Sequence, residues 1–286
     1  MKDANTAHRF TFELLPESRA QKRILTPYGY LFRGVVMKWV KDLDRELGTD
    51  LHKTDKPDKP KVLREYSIQR ETFSFGAKPA STNRRNPGAL SGVRFTLNIF
   101  RSDLMKAIAK HLIDQKSKTI RIGKQKCIVS QVLYNDVDLI DLIADARALQ
   151  QVRLSFKTPT AFKQMGTSRY CTTPVPEKIF GNLIKQWNRV NDDLHQCPEE
   201  LYEWLASHVA VTRTHLYHKK WLMGKGSLRF HGFTGDVEMK VLVDHEPFQK
   251  WMHTLLCFGE MSNTGSGRTA GFGSYQVKAF DRNDKH

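Results

Sequence analysis

Two kinds of hydrophobic spacing alternate along this chain in the same order twice, and that order leaves few folds open. Residues 9–15 set Phe10, Phe12 and Leu14 against polar neighbours, the pattern of a half-buried strand. After Pro27, Phe32, Val36, Trp39, Leu43 and Leu47 recur at intervals of three or four, with Val35 and Val40 widening the stripe. That spacing predicts an amphipathic helix ending near Gly48. Residues 62–75 and 93–100 read as two paired strands joined by residues 76–92, a long connection containing Arg84 and Arg85. Ser102 and Asp103 cap a helix running to about Ile113, with Leu104, Ile108 and Leu112 on one face. Residues 119–134 close this part with more strand.

A second round follows. Residues 151–156 read as strand, and residues 176–190 as a helix with Ile179, Leu183 and Trp187 on its apolar side. Pro198, Glu199 and Glu200 open another helix, proline being suited to a first turn. Residues 209–221 and 227–242 are strand-like around Gly224-Lys225-Gly226, and residues 248–258 are helical with Phe248, Met252 and Leu255 in register. A last strand ends the chain. Each round is β-α-β-β-α-β, the second with one extra helix. The expected fold class is therefore α+β, two ferredoxin-like (RRM-like) domains in tandem, divided at residues 1–145 and 146–286. No sequence repeat accompanies the repeated order.

The charge narrows the partner. Lys and Arg number 46 against 30 Asp and Glu, a formal net charge of +16 that attracts polyanions, of which nucleic acid is the commonest. No apolar run approaches the roughly 20 residues of a membrane-spanning helix, and no signal-peptide pattern opens the chain, so neither a membrane nor export is expected. Cys127, Cys171, Cys197 and Cys257 are scattered without a CxxC pair. They suit a reducing cytoplasm rather than a disulfide framework or a zinc site, and no metal is expected.

Between the last helix and the last strand lies Gly265-Ser266-Gly267-Arg268-Thr269-Ala270-Gly271-Phe272-Gly273. Glycine permits φ > 0 and close backbone approach, and successive amides in such a turn form a nest for an anion. Nucleotide-cofactor loops run from strand to helix, whereas this one runs from helix to strand, so no cofactor is expected. Gly265, Gly267, Gly271 and Gly273 are read as a backbone surface for nucleic acid, with Arg268 as a phosphate anchor. The alternative is that the glycines serve packing alone.

Two further constellations carry chemistry. Every second residue from Arg213 gives Arg213, His215, Tyr217, Lys219 and Trp221 on one strand face, and Lys220, Lys225, Arg229 and His231 extend the patch. Cations mixed with aromatics contact phosphates and stack on bases. His52 follows the first helix among Lys53, Lys56, Lys59 and Lys61. With a reference pKa of ~6.5, histidine moves protons near neutrality. RNA strand cleavage by the 2′-OH needs a base, an acid and positive charge, which one histidine among lysines supplies without metal.

Three ordered segments resemble a known family. They are the glycine loop itself; Leu154-Ser155-Phe156-Lys157-Thr158-Pro159-Thr160 followed by Pro176, Ile179-Phe180-Gly181, Leu183 and Trp187-Asn188; and Tyr30-Leu31 with Gly34, then Leu51-His52, then Pro60-Lys61. Together they resemble the CRISPR-associated endoribonucleases that process precursor CRISPR RNA, members of the RAMP superfamily. The resemblance implies two ferredoxin-like domains and metal-independent cleavage within each repeat. Products would end in a 2′,3′-cyclic phosphate and a 5′-hydroxyl. It implies His52 as the catalytic histidine and Lys61 as the lysine that holds the phosphate, with Lys56 and Lys59 competing for that role. It also implies CRISPR repeat RNA as partner, and a CRISPR effector complex as a further one. Some members carry a tyrosine three residues after the glycine matching Gly34, where this chain has Met37. That departure leaves open the alternative of a non-catalytic RNA-binding subunit of such a complex.

Overall fold

The computed structural model describes residues 5–17, 30–47, 66–75, 90–114, 119–122, 125–164, 169–223 and 228–280. The chain forms two units: residues 8–136, and residues from 137 onward together with residues 5–7.

The first unit contains β1 (Thr6–Pro16), α1 (Tyr30–Leu43), β2 (Tyr66–Phe75), β3 (Leu90–Ile99), α2 (Ser102–Asp114), β4 (Thr119–Ile122) and β5 (Gln125–Asp138). Its sheet has the order β2-β3-β1-β5-β4. With β4 set aside as an added edge, that is the ferredoxin-like order, and β1 and β2 both run antiparallel to β3. Alternation aims Phe10, Phe12 and Leu14 of β1 and Phe95 and Leu97 of β3 into one core. The α1 stripe buries Phe32, Val36, Trp39 and Val40 against them, and Phe32 stacks on Phe95 with ring centroids 4.3 Å apart.

Two local features depart from the sequence reading. The first helix breaks at Asp44, whose carboxylate accepts from the Leu47 amide at 2.9 Å and restarts a short turn that seats Leu47 in the core. The closing strand is a hairpin, with Ile120 of β4 opposite Cys127 of β5.

The second unit runs α3 (Leu139–Ala144), β6 (Gln151–Thr160), β7 (Phe162–Lys163), β8 (Tyr170–Cys171), α4 (Pro176–Val190), α5 (Leu201–His208), β9 (Val209–Met223), β10 (Leu228–Val241), α6 (Glu246–Ser262) and β11 (Tyr275–Phe280). Its main sheet, β11-β6-β10-β9, again has the ferredoxin-like order. Val152, Leu154 and Phe156 of β6 and Val237 and Met239 of β10 point to the buried side. There α4 contributes Ile179, Phe180, Leu183 and Trp187, and α6 contributes Met252, Leu255 and Phe258. The short pair β7–β8 stands apart from that sheet and has no counterpart in the sequence reading.

The start of the chain is tied to the second unit. The Asn5 carbonyl accepts from the Leu139 amide at 2.8 Å, and its side chain donates to the Asp192 carboxylate at 2.8 Å. Asn5 has φ of 71°, a left-handed conformation that asparagine tolerates better than most residues. Both units are ferredoxin-like, so the chain carries the fold in tandem. Among the described residues no helix is long and apolar enough to cross a membrane.

Candidate nucleic-acid interface

The long hairpin β9–β10 carries the basic and aromatic face expected from the sequence. In its register Arg213 lies opposite Glu238, His215 opposite Asp236, Tyr217 opposite Thr234, and Trp221 opposite Phe230. Directly opposed residues share a face, here the one turned away from the Val237 and Met239 core. On it the acids of β10 turn toward β6: Glu238 accepts from Arg153 at 2.6 Å, and Asp236 from Ser155 at 2.7 Å. Arg213, His215 and Tyr217 remain exposed on β9. His215 Nε2 and the Tyr217 hydroxyl are hydrogen-bonded at 2.6 Å with their rings edge to face, and Tyr217 is 54% exposed. Lys220 is exposed opposite His231. Lys219 and Arg229 lie in the paired strands, but their side chains fall outside the described ones, as does all of Lys225.

The glycine loop departs from its sequence reading in one respect: Arg268 turns inward. Its guanidinium donates to Gln186 Oε1 on α4 and, at 3.2 Å, to the Ser262 carbonyl at the end of α6. Burial, helped by the charge of Arg189, lowers it to about 10. A cation held this way ties a loop to two helices and is poorly placed as a surface phosphate anchor. Three of the loop's amides also bond inward, to groups outside the loop. Gly265 N donates to Asn182 Oδ1 at 2.8 Å, Ser266 N to the Ala161 carbonyl at 2.8 Å, and Gly273 N to the Pro159 carbonyl at 3.0 Å. The Gly271 amide bonds back to Arg268. Gly273 sits at φ of 77°, and a Cβ there would overlap the Thr264 carbonyl oxygen. Gly267, at φ of 78°, leaves room for the Phe272 ring, which a Cβ would meet at 2.7 Å.

Asn182 and Gln186, which sequence reasoning missed, are the partners that fix this loop. They stand one turn apart on α4, and Gln186 Nε2 donates to Asn182 Oδ1 at 2.7 Å. The available signal was a pair of amides at i and i+4 bordering the apolar stripe of Leu183 and Trp187.

His52 and Lys61, with Lys56 and Lys59, lie outside the described residues. Met37 is described: it is buried in the first unit's core, with the Tyr66 hydroxyl at 3.4 Å from its sulfur. Position 37 therefore faces the interior. Three of the thiols are quiet, since burial pushes Cys127 and Cys257 up to about 11 and Cys197 up to about 12.

Comparison with known proteins gives this geometry its context. The family model described as CRISPR-associated endoribonuclease Cas6 matches residues 154–275, from β6 through the glycine loop to the start of β11. A Mycobacterium tuberculosis protein of that name is 29% identical over 136 residues, covering 48% of this chain and 41% of the relative. One from Streptococcus thermophilus is 27% identical over 129 residues, covering 45% of this chain and 50% of the relative. The matched stretch thus spans half or less of those relatives' lengths. A solved Cas6 product complex shares the fold over 97% of this chain and 100% of its own, with a TM-score of 0.72 at 19% identity. The second unit is thus similar to the Cas6 endoribonuclease family from its first strand to its glycine loop, and the tandem ferredoxin-like fold is shared with solved Cas6 structures.

Proposed function

We propose that the protein is an endoribonuclease that binds CRISPR repeat RNA in precursor transcripts and cuts it to give mature guide RNAs. The observation that carries this reading is the match of the endoribonuclease family across the second unit, at 154–275. The exposed face of Arg213, His215 and Tyr217, the exposed Lys220 on the same hairpin and the net charge of +16 support a polyanionic partner. In the proposed chemistry the RNA's own 2′-OH attacks the adjacent phosphorus and the 5′-oxygen leaves. The products end in a 2′,3′-cyclic phosphate and a 5′-hydroxyl, and no metal is required. His52 moves the proton and Lys61 stabilises charge on the phosphate.

A non-catalytic RNA-binding subunit of an effector complex is the alternative reading. Its motive was Met37 in place of a tyrosine. Because that side chain is buried in the core, its identity bears on packing more than on proton transfer. The test is a cleavage assay on a repeat-containing transcript. His52→Ala is expected to abolish product while binding persists. Unchanged cleavage would move the catalytic group elsewhere, and salt-sensitive binding without product from the unaltered protein would favour the alternative.

A further inference from the structure

Beside the glycine loop, three aromatic rings from distant parts of the second unit form a column that ends in an exposed tyrosine. At its base Phe272, 1% exposed, follows the loop's Gly271. Its ring is seated where Gly267 leaves room for it. Phe230 of β10 stacks on Phe272 with centroids 4.4 Å apart and planes 21° from parallel. Tyr170 of β8 packs on Phe230 at 5.6 Å with its plane tilted by 54°, and remains 44% exposed. Phe230 has little freedom to move: it is 2% exposed, and a Cβ at Gly232 would meet both the Thr160 carbonyl oxygen at 2.8 Å and the Phe230 ring at 3.0 Å.

A cation stands beside the tyrosine, and Phe230 lies on the same face as the exposed side of the hairpin. Lys163 is exposed directly opposite Tyr170 across the β7–β8 pair, so the two share a face. Trp221 lies directly opposite Phe230. By alternation along β9 it belongs with Arg213, His215 and Tyr217.

The geometry points to Tyr170 as a stacking platform for one unpaired nucleobase of the bound RNA, with Lys163 beside it for the adjoining phosphate. A half-exposed ring packed on a buried one stacks a base with less ordering cost than a free side chain, and any base offers the π-face it needs. On this account the loop's glycines and Arg268 do not grip RNA themselves. They build the foundation on which the platform stands. The inference rests on the RNA-binding reading above and names a contact within it.

The test compares unaltered protein, Tyr170→Phe and Tyr170→Ala for binding of a repeat-containing RNA across a salt series. Tyr170→Phe is expected to bind like the unaltered protein. Tyr170→Ala is expected to bind at least about fivefold more weakly, as the loss of about 1 kcal/mol of stacking requires. The slope of affinity against salt should stay the same in Tyr170→Ala, because no charge is removed, whereas Lys163→Ala should make it shallower by about one. A Tyr170→Ala protein that binds as tightly as the unaltered one overturns the platform, and so does an equal loss in Tyr170→Phe. If the unaltered protein binds no RNA at all, the functional reading fails and the platform falls with it.

Discussion

Arg268 shows how a residue's type and its role can separate. An arginine among glycines in a basic protein reads as a phosphate contact, yet its guanidinium is bonded to Gln186 and to the Ser262 carbonyl. Truncation removes charged hydrogen bonds and leaves a buried amide, Gln186, without its donor. Arg268→Ala is therefore expected to cost about 2–4 kcal/mol of stability. Lysine should not restore it, since an ammonium lacks the planar fork. Thermal melting checks the first effect. RNA affinity measured well below the melting temperature should change little, and a large affinity loss in a fully folded variant would return Arg268 to the phosphate. Nothing in the local sequence could have set the direction of this side chain. A loop has no period, and the side chain that receives it, Gln186, lies on α4, some eighty positions earlier.

At the level of elements, much was legible. Strand alternation and helical spacing located β1, α1, α2, α4, β10 and α6, because one face of each is buried and the pattern records it. What escaped is what periodicity cannot record. Asp44 ends α1 by capping the next turn, an event set by one side chain. The pair β7–β8 is two residues a strand, too short to alternate, and Tyr170 gains its setting only through Phe230, sixty positions away. The hairpin face was readable for the opposite reason, since its residues lie on one long strand. It also yields a prediction. Arg213→Ala and Lys220→Ala should each weaken RNA binding with little effect on melting, and each should make the salt dependence shallower by about one. Loss of folding stability without a change in slope would mean that these cations support the sheet rather than contact RNA.

Across the whole molecule, each unit holds a histidine that favours its neutral form. Burial lowers His111, which stacks on Trp39 in the first unit. Burial, followed by the charge of Arg147, lowers His253 in the second, where its Nδ1 accepts from the Arg147 amide at 3.1 Å. Both folded values lie below the ordinary 6.5, so the unfolded chain takes up protons first as pH falls. The stability present above pH 6.5 should begin to fall below it in both units. A second loss should follow at lower pH as Asp103 protonates, because the hydrogen bond from Arg101 holds that carboxyl below 3.8 despite the opposing effect of burial. Melting temperatures between pH 7.5 and 5 check the first step; a flat profile would contradict it. The functional proposal also belongs to this scale: two ferredoxin-like units in one chain that cut RNA without a metal. The most direct measurement of that claim is incubation of a repeat-containing transcript with the protein in EDTA, followed by mapping of the product ends. The account predicts one discrete cut per repeat, leaving a 2′,3′-cyclic phosphate and a 5′-hydroxyl, and no cut with His52→Ala. Repeat RNA that is bound but left whole, or cut only when a divalent metal is restored, would contradict it.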